Sequence, residues 1–473
     1  MNHFKLSKKK EIELFVFCIW LFLIRIAIPF AKYFFVPFFI LFLAYTILRI
    51  WRIHEVINFS RYYLRVFSSF FLVCIFFIIG ILFSSRFDFF FLKEGLAMLV
   101  LICIGMMAFT FIESEDDFKL FTWVFMRQLI AFCIFICIFS LMKLFFQLRS
   151  VQFEFLSDLY GTYPKGTSLV LDYNFYSMVS ILGIVTCIFV LIKEKSNRRS
   201  LLLQLLVVGL ILNVVFSTSR RGIVVLAFIL LILFFILLFG WLSGKGKWMS
   251  ILSVKLRLVF LFFFSFIFLL IFFLSQNPFQ STNSMYSKLG FEQSAGSDMI
   301  HVCVRRYFTI LNPGTDTYFG GIVKDPDNRF SGGRIQRINY GIKIFSQDYS
   351  TSKKIIGGGF DYLWDFGKEF YSKNNHRFYF DYPHNPILSA LLYSGIAGGL
   401  SLVYFFFMTF LNFYRSFRSL FYYICLYVII FSFAFFSGNS IFGCPEFVLI
   451  SLFPFYFTII KYKGHREARS AIA

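Results

Sequence analysis

Residues 222–242 read GIVVLAFILLILFFILLFGWL, a run of 21 positions without one ionisable side chain. As an α-helix rising about 1.5 Å per residue, such a run covers roughly 30 Å, the thickness of the hydrocarbon core of a bilayer. Comparable runs recur at 12–30, 33–49, 66–84, 95–113, 120–145, 172–192, 200–216, 254–275, 385–410, 419–437 and 444–461. The composition agrees. Of 473 residues, 59% are hydrophobic and only 15% charged, more apolar surface than a soluble domain of this length could hide. A length-based count of soluble domains therefore does not apply. The expected fold is an all-α polytopic membrane protein with about twelve transmembrane helices. Residues 1–275 hold helices 1–9, residues 276–383 form one large, mostly helical periplasmic loop domain, and residues 384–473 hold helices 10–12 and a tail.

The formal charge of +21 points to the membrane and not to nucleic acid, because the basic residues fall in alternate links. These carry Arg49, Arg52, Arg61 and Arg65; Lys193, Lys195, Arg198 and Arg199; Lys245, Lys247, Lys255 and Arg257; Arg415 and Arg418; and, in the tail, Lys461, Lys463, Arg466 and Arg469. The positive-inside rule then places both termini in the cytoplasm. The link from Glu113 to Lys119 is acidic and does not follow the rule. At the N-terminus, Lys5 and Lys8 to Lys10 precede an apolar run with no small-residue cleavage site, which reads as a retained first helix. Seven of the nine cysteines lie in apolar runs, where the thiol is a small hydrophobe; Cys303 and Cys444 fall in outer links, and no spacing pairs them. No Cys/His pattern of metal-ligand type occurs, and no cofactor is expected.

The long outer loop is not a flexible linker. From Gly333 to Phe345, the residues Ile335, Ile338, Ile342 and Phe345 recur at three- and four-residue steps, the mark of an amphipathic helix, interrupted only by Gly341. Arg334 and Arg337 sit three apart on it, as neighbours on the helix surface. Gly357-Gly358-Gly359 then signals a turn.

Four features gather on the outer face. Ser217-Thr-Ser-Arg-Arg-Gly222 places Arg220 and Arg221 where the positive-inside rule disfavours cations. They read either as arginines snorkelling to lipid phosphates or as an anion site, since guanidinium forks match phosphate geometry. Arg334 on the loop helix is either a solvated residue or a second such cation. Tyr382-Pro-His-Asn-Pro386 sets His384 at the re-entry point, as a general base or as a structural residue beside a helix cap at Asn385. Gly395, Gly398 and Gly399 further on read as close helix packing. In the segment 163–174, Lys165 adds a cation, and Asp172 or Asn174 is placed to cap a helix. Asp325-Pro-Asp327 is a carboxylate pair in a turn-rich run, more readily a turn than a metal site.

The order of these elements resembles the family of bacterial O-antigen ligases and O-antigen polymerases: the Ser-Arg-Arg-Gly turn, the Arg334 helix, Ile355-Ile-Gly-Gly-Gly359, and His384-Asn385 before a glycine-rich helix. The Asp172-Tyr-Asn174 opening is similar too, and the resemblance covers roughly residues 160–400. It implies a metal-independent, inverting glycosyltransferase of the inner (cytoplasmic) membrane whose donor is a glycan on undecaprenyl pyrophosphate. By the same resemblance Arg220 and Arg334 would bind the pyrophosphate, Arg221 could share that role, Lys165 stands near where ligases often carry arginine, and His384 would be the catalytic base. The acceptor would be lipid A core for a ligase, in lipopolysaccharide biosynthesis, or a growing glycan for a polymerase. A flippase or transporter of lipid-linked oligosaccharide is the competing expectation; it calls for ionisable residues near the midplane, where Arg25 and Lys143 come nearest.

Overall fold

The computed structural model describes residues 8–27, 61–85, 112–148, 153–160, 164, 166–170, 172–217, 219–242, 315–318, 321–324, 334–372, 382–383, 385–437 and 445–470, with isolated positions between 37 and 45 and at 151. Among them the chain is helical. The elements are α1 (Lys8–Ala27), α2 (Arg61–Leu82), α3 (Glu115–Leu148), α4 (Glu154–Tyr160), α5 (Tyr173–Lys193), α6 (Asn197–Phe216), α7 (Arg220–Leu242), α8 (Arg334–Lys343, continued by a π turn Ile344–Asp348), α9 (Thr351–Ile356), α10 (Asp361–Ser372), α11 (Pro386–Arg415), α12 (Phe417–Ser437) and α13 (Pro445–Ser470). Six described helices are long and apolar enough to cross a bilayer: α2, α3, α5, α6, α11 and α12. The protein is thus a helical membrane protein. The expected spans at 33–49, 95–113 and 254–275 fall mostly outside the described residues. Within the 276–383 segment, expected to be mostly helical, lies a short hairpin, β1 (Thr315–Tyr318) antiparallel to β2 (Gly321–Lys324), with Thr315 opposite Lys324. Its Thr, Ile and Val side chains suit a pleated ribbon better than a helix.

The chain forms two compact units: Met1–Ile19 with Pro37–Val124 and Ser331–Ala473, and Trp20–Val36 with Phe125–Phe330. In the first, α2 and α11 run antiparallel with aromatic side chains interleaved. Phe77 stacks on Tyr393 at 5.6 Å and Phe70 lies 5.8 Å from Phe405. Gly80 makes this approach possible, since a Cβ there would enter the Tyr393 ring. α13 joins through Phe405–Phe455 stacking and Phe67–Tyr456. The start of α3 packs by Phe118 against Tyr423 of α12 and Phe457 of α13.

Lys8 explains the acidic link. Its ammonium donates to Glu113 Oε2 at 3.0 Å and lies 2.7 Å from Asp117 Oδ2. Partial burial pulls the Lys8 pKa down, but the bonds to Asp117 and Glu113 outweigh it and hold the amine above its usual value. Such partly exposed bridges contribute only about 0–1 kcal/mol. Their consequence is registry: the N-terminal lysine and the acidic link sit at one end of the unit, neutralising each other.

At the other end of α2 and α11, the helix is not continuous. Gly395 adopts φ 67°, ψ −167° inside α11. This region is essentially closed to residues with a Cβ. The break frees carbonyls that an unbroken helix would have bonded, and the chain segment 349–359 fills them. Gly358 N–H donates to the Leu392 carbonyl at 2.9 Å and Gly359 N–H to the Tyr393 carbonyl at 3.0 Å. The Tyr349 hydroxyl donates to Leu392 as well, at 2.9 Å. Burial first, then the neighbouring Asp365 carboxylate, Tyr362 and Asp361, pushes the Tyr349 phenol far above its ordinary value, so it remains a donor. Gly395 therefore does more than allow close packing, the role its sequence position suggested; at Gly398 and Gly399 a Cβ would meet first Ser394 and Leu391 of α11 itself, with Phe76 of α2 3.6 Å from the Gly398 position.

The second unit has α5 as its most enclosed helix, with buried residues from Phe175 to Ile188. Cysteine and glycine interlock across it: a Cβ on Gly183 would run into Cys133 Sγ, and one on Gly209 would meet Cys137 Sγ at 2.5 Å. Small groups on facing helices let the backbones approach, the usual basis of helix association in lipid.

Gly395→Ala should cost about 1–3 kcal/mol of backbone strain, with a further collision against the Ile355 carbonyl, and leave little folded protein in detergent. Gly399→Ala, whose Cβ would meet only the movable Leu391 side chain at 2.6 Å, should retain most of it. Thermal unfolding of the two purified variants checks the contrast.

Candidate functional site

In the second unit the starts of α5 and α7 are joined. Asp172 caps α5 as the sequence suggested, its carboxylate accepting the N–H groups of Asn174 and Phe175. Ser219 caps α7, its Oγ accepting Gly222 N–H at 3.0 Å. The same hydroxyl donates to Asn174 Oδ1 at 3.0 Å, so one serine ties the two helix starts. Gly222 presses on Ser177, where a Cβ would lie 2.7 Å from its Oγ. Two parallel helices thus begin side by side. Each N-terminus carries roughly half a positive charge from its free N–H groups. Asp172 offsets that charge on α5. α7 has a neutral cap followed at once by Arg220 and Arg221, so its start is the positive one. Arg221 is half-buried, and its Nη1 is buried without a hydrogen-bond partner. A cationic nitrogen in that condition is costly unless an acceptor arrives.

The approach to these helix starts is a loop folded into the protein. Pro164 and Gly166 to Val170 are all buried. Gly166 takes φ 56°, Thr167 N–H donates to the Phe216 carbonyl, and Thr167 Oγ1 donates to the Asn213 carbonyl at 2.9 Å. Lys143 reaches the same loop from α3 and donates to the Pro164 carbonyl at 2.8 Å and to that of Ser168. Lys143 is, with Arg25, one of the two ionisable residues that the sequence placed nearest the midplane; it is engaged by loop carbonyls.

In the first unit the α8 helix and the re-entry segment come together. A Cβ on Gly341 would stand 2.7 Å from Leu388 Cδ2 and 3.1 Å from Pro383 Cβ. The glycine that interrupts the amphipathic pattern is therefore where α8 crosses the start of α11. Asn385 caps α11, accepting Leu388 N–H at 3.0 Å, with Pro386 at the first helical position. Asp361 at the start of α10 accepts both the N–H and the hydroxyl of Ser85, so the segment after α2 is held as well.

Arg220 and Arg334 each open a helix, α7 and α8, and it is the backbone of each that is described. Lys165 and His384 lie outside the described residues, between the described Pro164 and Gly166 and between Pro383 and Asn385. Cys303, Cys444, Asp325 and Asp327 lie outside them too. The roles missed by sequence reasoning are the cap and link made by Ser219, the linking role of Asn174, and the tie of Lys143 to the 164–170 loop. Ser219 had a signal, a serine three positions before a glycine at a helix start; the Asn174 link had none, because its partner is 45 residues away. Among the described residues no group of His, Cys, Asp and Glu is placed to hold a metal ion. Comparison with protein families, curated proteins and solved structures finds no match for the chain.

Ser219→Ala removes both the α7 cap and the link to Asn174, and should destabilise the protein by about 0.5–2 kcal/mol, read as a lower unfolding temperature. Gly341→Val should force α8 away from Pro383 and Leu388; limited proteolysis within residues 334–348 should accelerate several-fold while the rest of the chain stays intact.

Proposed function

We propose that the chain is a membrane glycosyltransferase that moves a glycan from undecaprenyl pyrophosphate to an acceptor at the periplasmic face of the inner membrane, of the O-antigen ligase type. In this reading the twelve-span topology has both termini in the cytoplasm and the 276–383 segment outside. The observation that carries it is the pair of helix starts tied by Ser219 and Asn174, with Arg220 and Arg221 on the positive one. That arrangement suits a dense anion such as a pyrophosphate, which helix N-termini and guanidinium groups bind in combination.

The chemistry follows from charge. The acceptor hydroxyl oxygen attacks the anomeric carbon, the bond from that carbon to the pyrophosphate oxygen breaks, and the electron pair leaves with the pyrophosphate. Cations near the leaving group stabilise the charge that builds there, the role proposed for Arg220, Arg221, Arg334 and Lys165. His384 takes the hydroxyl proton as oxygen attacks. Attack from the face opposite the leaving group inverts the anomeric centre. Two features of the first unit support a role for the re-entry segment: Asn385 caps α11, and Gly341 brings the Arg334-bearing helix against Pro383. A polymerase differs only in using a second lipid-linked glycan as acceptor, and the same residues would serve.

The broken α11 favours the transporter reading, because transporters coordinate ions with the free carbonyls of discontinuous helices. Here the Leu392 and Tyr393 carbonyls already accept bonds from Gly358, Gly359 and Tyr349. The carbonyls of Pro164 and Ser168 are likewise taken by Lys143.

The test is surface-glycan electrophoresis of a deletion strain complemented with wild type or with Arg220→Ala, Arg334→Ala or His384→Ala. Each variant should insert normally and abolish transfer. Unmodified lipid A core with polymerised glycan retained on the lipid carrier identifies a ligase, and a single repeat unit on the core a polymerase. Full activity in all three variants, or lipid-linked glycan moved across vesicles without transfer, refutes the proposal.

A further inference from the structure

We infer that Lys143 is a positioning residue for the site at the starts of α5 and α7: by holding the 164–170 loop across the helix ends, it sets the spacing between Asp172 and Ser219. The inference rests on the pyrophosphate reading of that site.

Lys143 lies in α3 with no exposed surface. Its Nζ donates to the carbonyls of Pro164 and Ser168, which flank the tight bend at Gly166. An ammonium offers three donors and no acceptor, so it suits a ring of inward-facing carbonyls. Within the bend, Thr167 makes two bonds to the last turn of α6, N–H to Phe216 and hydroxyl to Asn213. Phe216 ends the helix, where carbonyls lack helical partners; the Asn213 carbonyl accepts the Ser217 N–H and takes the Thr167 hydroxyl as a second donor. The Ser168 hydroxyl donates to the Val170 carbonyl and closes the exit of the loop. Two residues later Asp172 caps α5, and three residues after Phe216 comes Ser219.

The loop is therefore attached to α3 through Lys143, to α6 through Thr167 and, by chain continuity, to α5. α7 follows α6 through the single turn 217–219. Remove the Lys143 tie and the loop loses its hold on α3 while the Thr167 bonds to α6 remain, so the α5 start can move against the α7 start. Backbone polar groups buried away from water persist only where they are satisfied inside the protein. The two carbonyls released by losing the ammonium would each have to find another donor, and the bend would open to do so. What Lys143 supplies to the reaction is the gap into which the anion fits; it need not touch the anion itself.

The experiment uses the full chain in nanodiscs with spin labels on ketone-bearing residues at 173 and 223, since nine native cysteines rule out thiol labelling. Two quantities are read for wild type, Lys143→Met, Lys143→Arg, Thr167→Val and Arg220→Ala: the label–label distance distribution, and the affinity for undecaprenyl pyrophosphate. Lys143→Met should broaden or shift the distribution and weaken binding about tenfold, and Lys143→Arg should restore most of both. Thr167→Val loses the other tie and should shift the distribution in the same sense, which keeps the test open if Lys143→Met does not fold. An unchanged distribution in both Lys143→Met and Thr167→Val overturns the inference. So does a shifted distribution with unaltered affinity when Arg220→Ala has lost binding, because the spacing would then not matter to the site. If the distribution shifts but neither Lys143→Met nor Arg220→Ala alters affinity, the pyrophosphate reading falls and the control of helix spacing by Lys143 stands.

Discussion

In hydrocarbon, a backbone carbonyl without a donor has no water to turn to, and a helix of this protein is broken where it releases such carbonyls. The break at Gly395 is the one on which the first unit depends. It fixes a docking strip of Leu392 and Tyr393 carbonyls, and Gly358, Gly359 and Tyr349 are held there because those carbonyls need partners. Segment 349–361 then has its place, Asp361 reaches Ser85, and α8 is carried to the start of α11. Three glycines with positive φ, at 357, 359 and 395, make the backbones' close approach sterically possible.

The second unit solves the same problem with a side chain. Where the first unit meets free carbonyls with another stretch of backbone, the 164–170 loop meets them with a lysine and a threonine. The two solutions differ in what substitution does to them. A backbone latch is sensitive at its glycines, where any Cβ collides. A side-chain tie is sensitive at one position and can be replaced in part by another long cation. The α5 and α7 starts are also unequal by construction: an acidic cap quiets one dipole, and a serine followed by arginines leaves the other positive.

Much of this architecture is legible in sequence, and for identifiable reasons. Apolar runs mark the spans because length and hydropathy are local properties, and the six described helices long enough to cross a bilayer fall on expected runs, with ends shifted by up to about five residues. The Asp172 and Asn385 caps are legible because a cap is written within three residues of its helix. Gly341 was visible as an interruption, but its reason lay in Pro383 and Leu388, more than forty positions on. Gly357 to Gly359 read as a turn; that the turn docks in a membrane helix depends on a break at Gly395, which looked like packing. The Lys143 tie and the Ser219–Asn174 link are pairings between distant polar residues of ordinary type, and no local pattern announces them. The hairpin at 315–324 was missed because an expectation of helix for the outer loop was drawn from one strongly periodic stretch inside it.

The clamp of Lys8 on Glu113 and Asp117 bears on how the chain is made. A ribosome delivers Lys8 to the bilayer 105 residues before Glu113 exists. During that interval the first helix has its basic flank to orient it and the bond from the Tyr45 hydroxyl to Glu11 Oε1, but not the acidic partners of Lys8. The pairing is therefore made only once the chain has reached α3, about a quarter of the way along its length, and until then the basic flank of α1 stands without its acidic partners. Worth about 0–1 kcal/mol, the clamp records the order of assembly and does not decide it.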